Sequence, residues 1–239
     1  MSSPSRGRSG PDDRIGDVAN LGPGRPRLEQ RRRQGTTPRA EILDAAAELF
    51  TTKGYANTST RAVADAVGIR QASLYHHFAA KDDILDALLA ETIAAPAALA
   101  GRMRAEPDDA ITKLYALALF DVRQLRAARW NLGALYLLPE VRTERFAVFR
   151  DRRDELRAHY EHLAAAAAPT AAGARILPFR LVETVIGIRS DEGAAGPETE
   201  HVIPDAIVRV IGHPADPAEI RTAAEALLAR VGEIGTDPA

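Results

Sequence analysis

The chain contains no cysteine, which excludes disulfides, thiolate zinc sites and cysteine nucleophiles and is compatible with a reducing compartment. No run of eighteen apolar residues occurs, and the first residues lack the apolar core of an export signal. A soluble, cytoplasmic protein without a membrane partner is therefore expected. Alternating β-type runs and internal repeats are missing too, so the expected fold is all-α. The sequence has no G-x-S-x-G, phosphate-binding loop or dinucleotide fingerprint. Nucleophilic, phosphoryl and hydride chemistry lack a motif, and neither an enzyme nor a cofactor is expected.

What is present is concentrated between Thr58 and Phe78, TSTRAVADAVGIRQASLYHHF. Two short helices cross closely only where the first offers a small residue, and Ala64 does so. Gly68, four residues on, falls where the chain must turn and a positive φ costs glycine little. Val63, Val67, Ile69 and Leu74 fall where they bury the angle between the helices. The second helix, about Gln71 to His77, is short and polar outside. This is the spacing of a helix-turn-helix, although a plain αα-hairpin shares its outline. Upstream, Ile42, Leu43, Ala46, Leu49 and Phe50 share one helical face, with Gly54 as a stop. Downstream, Lys81 opens a further amphipathic helix running to about Ile93.

The run I-L-x-A-A-x-x-L-F-x-x-x-G-Y-x-x-T-S, then G-I-x-x-A-S-L-Y-H-H-F-x-x-K, over residues 38–93 resembles the DNA-binding domain of TetR-family transcriptional regulators. The resemblance implies an N-terminal three-helix DNA-binding domain and a larger helical domain for effector binding and dimerisation. It implies as partners double-stranded operator DNA, a second copy of the chain and a small-molecule effector. One departure is visible: Arg70 stands where the family often has a Ser or Thr to cap the recognition helix. Carried onto this chain, the family pattern makes Arg70, Gln71 and Ala72 the base readers. Arginine suits guanine, glutamine adenine, and an alanine methyl a thymine methyl. Ser73, Tyr75 and His76 are expected on or near phosphates; His77 could take the place of His76, with the other histidine packing inward. Thr58 and Ser59 are expected to cap the second helix and face the backbone with Arg61, and Lys81 to donate to phosphate from the start of the fourth helix.

A net charge of −2 would argue against a nucleic-acid partner if it were spread evenly. Residues 1–81 hold 13 Lys/Arg against 8 Asp/Glu, whereas residues 82–239 hold 18 against 25. The basic excess lies in the part that would meet phosphates. Three segments follow. Residues 1–36, rich in Ser, Gly, Pro and Arg, are expected to be a disordered arm. Residues 37–93 form the helix-turn-helix domain and residues 94–239 the helical remainder. Helices are expected over about 108–128, 130–138, 141–168, 178–190, 197–212 and 217–232, with Pro178 and Pro217 suited to first turns. In the arm, Pro23–Arg27 resembles the core of an AT-hook, with Arg25 and Arg27 reading a narrow A·T-rich minor groove. A basic tail binding phosphates without register would share the same residues.

One helix-turn-helix buries too little surface to select an operator alone, so dimerisation is expected. Phe179, Leu181, Val182, Val185, Ile186 and Ile188, with Gly187, make one candidate interface helix, and Ile203, Ile207, Val208, Val210 and Ile211 another. An intramolecular core would use the same residues. Candidate effector contacts are Met103, Tyr115, Phe120, Trp130, Tyr136, Phe146 and Phe149, with Arg126, Arg129 and Asn131 near the single tryptophan. Glu155, His159 and His162 have a spacing that could hold a metal, but no matching cluster lies near in sequence and no metal site is assigned. The resemblance to the TetR family implies a ligand-released, homodimeric repressor acting at a palindromic operator. The alternative is a constitutive architectural DNA binder whose helical remainder only dimerises.

Overall fold

Thr37 turns the chain into its first helix: its side-chain oxygen accepts the Ala40 N–H at 3.2 Å, and Pro38 fills the first turn, where no N–H is needed. The computed structural model describes residues 37–171 and 173–233, so Arg25, Arg27 and the arm lie outside the described residues. Within these residues are α1 (Pro38–Thr52), α2 (Thr60–Val67), α3 (Gln71–Tyr75), α4 (Lys81–Met103), α5 (Ala110–Ala127), α6 (Ala147–Ala167), α7 (Leu177–Glu192), α8 (Thr199–Val210) and α9 (Pro217–Glu233). Short 3-10 turns join some of them. There is no strand among the described residues, and the fold is all-α.

α4 runs past the end read from the sequence. It continues from Ile93 to Met103 with Pro96 inside it, and so crosses the boundary drawn at residue 93. A helical proline removes the hydrogen bond to the carbonyl four residues earlier, here that of Thr92. Gln124 on α5 replaces it, its Nε2 donating to the Thr92 carbonyl at 2.8 Å. α4 is long and apolar enough to cross a bilayer by length and composition. Yet Ile84, Leu85, Leu88 and Leu89 are buried against the core, as in the core helix of a folded domain.

α5 is the hub. Ile111, Leu114, Tyr115, Leu117, Leu119 and Val122 are buried around its whole circumference, and it packs against α4, α6, α7, α8 and α9. Charged contacts fasten its outer side. Tyr115 donates to Asp205 at 2.7 Å, Arg221 reaches the same carboxylate at 2.8 Å, and Arg123 bridges Glu200 and Glu225. The helix expected over 130–138 is instead a 3-10 turn at Leu132–Leu137, and α6 begins only at Ala147. Asn131 fixes that segment on α7 by donating to the Ile186 carbonyl at 2.9 Å and to Ser190 at 3.0 Å. Gly133 lies so close that a Cβ would meet the Ile186 side chain at 2.4 Å. At Gly187, by contrast, a Cβ would meet nothing within 4 Å.

The candidate interface helices divide. Phe179, Val182, Val185, Ile203, Ile207, Val208 and Ile211 are buried within the single chain, because α7 and α8 pack on α5 and on one another. Val202 and Val210 remain exposed, while Leu181, Ile186 and Ile188 are half-buried.

Candidate nucleic-acid interface and effector chamber

The turn between α2 and α3 follows from three residues. Gly68 ends α2 at φ 77°, which lets its N–H reach Asp65 and the Ile69 N–H reach Ala64 at 3.0 Å. Ala64 is buried at the crossing, and Val63, Val67 and Leu74 close the elbow around it. α3 then presents its outer side to solvent: Arg70, Gln71, Ala72, Ser73, Tyr75 and His76 are all exposed. His77 is exposed as well, so neither histidine packs inward. Arg70 occupies the N-cap without a side-chain cap bond, and of the first-turn N–H groups that of Ser73 donates to the Arg70 carbonyl at 2.9 Å.

Ser59 alone caps α2 through its side chain, accepting the Ala62 N–H at 3.1 Å. Thr58 corrects the expectation made for it. It is buried, with its hydroxyl directed to the carbonyls of Gly54 at 2.9 Å and Leu49 at 3.3 Å, so it shapes the loop rather than facing a phosphate. Lys81 is also committed elsewhere. Its ammonium donates to the carbonyls of Tyr55 at 2.9 Å and Thr58 at 3.1 Å and lies over the Tyr55 ring at 4.0 Å. Two of its three donors thus fasten α4 to the loop before α2. Arg61 is exposed and lies 4.0 Å from Asp65.

The sequence reading missed Thr60. Gln71 Nε2 donates to the Thr60 hydroxyl at 3.0 Å and to the Tyr75 hydroxyl at 3.3 Å, and those two oxygens lie 3.2 Å apart. Both amide hydrogens are therefore engaged inside the protein, while the amide oxygen remains an acceptor. To grip an adenine through both groups, Gln71 must release one of these bonds. Its oxygen alone accepts from the amino group of adenine or cytosine.

The aromatic candidates separate into three places. Trp130, Tyr136 and Phe149 belong together: Trp130 lines a chamber of about 160 Å3, Tyr136 an inner cavity of about 20 Å3, and Phe149 packs on Tyr136 at 5.5 Å. Thr92 and Leu125 line both spaces. Tyr115 instead faces α8 and α9 through Asp205 and Arg221. Met103 lines a separate cleft with Arg104, His159 and His162. Phe120 is half-buried and Phe146 buried against the core, and neither lines these spaces. His159 lies 3.2 Å from the Arg104 guanidinium, and among the described residues no three side chains converge to hold a metal.

The inner cavity has a polar wall that the sequence reading did not assign. Asp121 on α5 is buried and accepts the Tyr160 O–H at 3.1 Å. Burial pushes its carboxyl up to about 7, the Tyr160 hydrogen bond opposes this, and the Glu183 charge adds to it. Arg153 pairs with Glu183 and lies over the rings of Tyr136 and Phe179 at 5.2 and 5.1 Å. Tyr136 lies within hydrogen-bond reach of the Thr92 hydroxyl at 2.5 Å, and burial raises its phenol well above the usual range. A lone acid in the apolar run Tyr115–Val122 was the signal available for Asp121. At the outer end, Trp130 Nε1 donates to Asp44 on α1 at 2.9 Å, and Arg129 reaches the same oxygen at 3.0 Å.

Comparison with known proteins agrees with this geometry. The family model described as bacterial regulatory proteins, tetR family, matches residues 42–88. The HTH-type transcriptional repressor KstR2 of Mycobacterium tuberculosis is 45% identical over 56 residues, 23% of this chain and 28% of that protein. The repressor of the same name from Rhodococcus jostii is 49% identical over 51 residues, 21% of this chain and 25% of that protein. The chain thus matches about a quarter of the length of these relatives. The crystal structure of Mycobacterium smegmatis AmtR is 56% identical, covering 85% of this chain and 98% of that one, with a TM-score of 0.79. The ketosteroid transcriptional regulator KstR2 of M. tuberculosis shares the fold at 20% identity, covering 75% of this chain and 95% of that one, with a TM-score of 0.60.

Proposed function

Because this chain belongs to the TetR family of bacterial regulatory proteins, we propose that it is a cytoplasmic transcriptional regulator, not an enzyme, that binds operator DNA as a homodimer and leaves it when a small molecule binds. The proposed sense of control is repression, as in the relatives named as repressors. α3 is the segment that enters the major groove. Arg70, Gln71 and Ala72 lie at its open N-terminal end, and Ser59, Arg61 and Tyr75 border it.

The observation that carries effector control is the position of Trp130. It lines the chamber and is hydrogen-bonded to Asp44 on α1, so a ligand that moves the indole acts directly on the DNA-binding helices. α4 is a second connection. Thr92 lines the chamber, and Lys81 at the same helix's start is fastened to the loop before α2. Release from DNA then requires that the ligand favour one arrangement of these contacts over the other; tight binding to both would shift nothing. Dimerisation falls to the solvent side of α7 and α8, where Val202 and Val210 are exposed and Leu181 and Ile188 half-buried.

The test is nuclease footprinting of the chain on DNA upstream of its neighbouring genes, with and without candidate metabolites. A protected palindrome that opens when one metabolite is added is the expected result. Protection that no ligand alters, or no specific protection at all, would refute effector release or operator binding respectively.

A further inference from the structure

Taking the chamber as the effector site, a reading on which this inference rests, we propose that the ligand is a small protonated amine or guanidinium compound that donates its N–H groups to Asp121. The charged groups around the two spaces differ in what already holds them. Arg153 pairs with Glu183, a carboxylate that Arg180 also reaches at 3.0 Å from the same helix. Arg189, on the wall of the outer chamber, donates to the carbonyls of Leu125 at 2.5 Å and Ala128 at 2.6 Å, which occupies its N–H groups and closes the end of α5 without neutralising its charge. Among the described residues Asp121 is hydrogen-bonded to a neutral phenol, that of Tyr160, and forms no ion pair. Removing a carboxylate from water without a counter-charge is unfavourable, so the site either keeps a proton or takes a cation.

Groups facing Asp121 come from every helix around the cavity. α6 supplies Tyr160 and Arg153, α7 supplies Glu183, the turn after α5 supplies Tyr136, and α4 supplies the neutral Thr92, with Glu91 farther out on the same helix. The hydroxyl oxygens of Tyr136 and Thr92 offer further acceptors in the same wall. Two features favour an anion: Arg189 on the chamber wall is bonded only to neutral carbonyls, and Arg153 Nε is buried without a partner. An anion placed there would share a very small space with Asp121 and Glu183, and like charges at such range repel strongly. Size adds a limit. The inner cavity of about 20 Å3 holds one water-sized group, and the adjoining chamber of about 160 Å3 accommodates the remainder of a short ligand.

The experiment is calorimetric titration of the full chain with methylammonium and guanidinium, using tetramethylammonium, which has no N–H, and acetate as controls. Runs at pH 6, 7 and 8 in two buffers of different ionisation enthalpy count the protons released. The inference expects methylammonium or guanidinium to bind with proton release at pH 6. Burial holds the Asp121 proton up to about pH 7, so binding should be about tenfold tighter at pH 8 than at pH 6, and Asp121→Asn should lose both the binding and the proton release. Proton release by the unaltered chain is decisive even if that variant folds poorly. Tighter binding of acetate, equal binding of tetramethylammonium, or no binding of either donor cation would overturn the proposal. Cation binding with proton release, but unchanged affinity for operator DNA, would leave the ligand class standing and refute the effector reading instead.

Discussion

At the scale of single residues, the side chains expected on DNA divide by what already holds them. Gln71 is exposed and bonded only to Thr60 and Tyr75, which are themselves on the surface side of the elbow. Gln71→Ala should cost about 1–3 kcal/mol at a cognate operator, measured by anisotropy, while leaving the melting temperature unchanged. Lys81→Ala should behave in the opposite way. It removes two bonds to backbone carbonyls and the contact with Tyr55, so melting should drop by the equivalent of about 1–3 kcal/mol and binding to all sequences should weaken with it. A Lys81 variant that melts like the parent chain and loses only salt-dependent affinity would restore it as a phosphate contact. Asp121 gives a pH signature. Its carboxyl is raised in the folded chain, so between the unfolded value near 4 and about 7 the folded state keeps a proton that the unfolded state releases. Stability should therefore fall as pH rises through that window, by as much as about 1 kcal/mol per pH unit, and level off above it. Asp121→Asn should flatten this slope in denaturant titrations, and an unchanged slope would remove Asp121 as its source.

At the scale of helices, the sequence was most legible where local rules and packing agree. Gly68, Ala64 and Leu74 do in the structure what their spacing implied, because a tight helix-turn-helix leaves few alternatives at those positions. The sequence was misleading where a distant side chain overrides a local rule. The helix from Lys81 is expected to end near Ile93, yet α4 continues through Pro96, where Gln124, twenty-eight positions on, takes the carbonyl that the proline leaves open. The polar wall of the cavity was hidden for a similar reason, since Asp121, Arg153 and Glu183 meet only when three helices pack. The Pro96–Gln124 relation can be measured by a double-mutant cycle. Gln124→Ala should cost about 1–3 kcal/mol in the parent chain by leaving the Thr92 carbonyl without a partner. In a Pro96→Ala background the restored N–H takes that carbonyl, so Gln124→Ala should cost about 1 kcal/mol less. Equal costs in both backgrounds would mean that the two positions act independently.

At the scale of the whole molecule, the assembly has to be built from what the single chain leaves uncovered. Periodicity marks α7 and α8 as apolar but cannot say which partner each apolar side takes, because a protomer core and a subunit interface use the same residues. The structure resolves this in part: Val185 and Ile207 are fully buried inside one chain, whereas Val202 is 57% and Val210 42% exposed on α8. A charge at Val185 or Ile207 would therefore be buried without a partner and should unfold the protomer, whatever its oligomeric state. A charge at Val202 or Val210 can reach solvent in the isolated protomer, so the fold should survive and chiefly a surface pairing should suffer. If α8 forms the dimer contact, light scattering of the parent chain should return twice 25.7 kDa, and Val202→Glu with Val210→Glu should return the single mass at an unchanged melting temperature. The charged variant should also lose protection of a palindrome, because one helix-turn-helix cannot span two half-sites. A folded double variant that remains a dimer and still footprints would move the interface off α8.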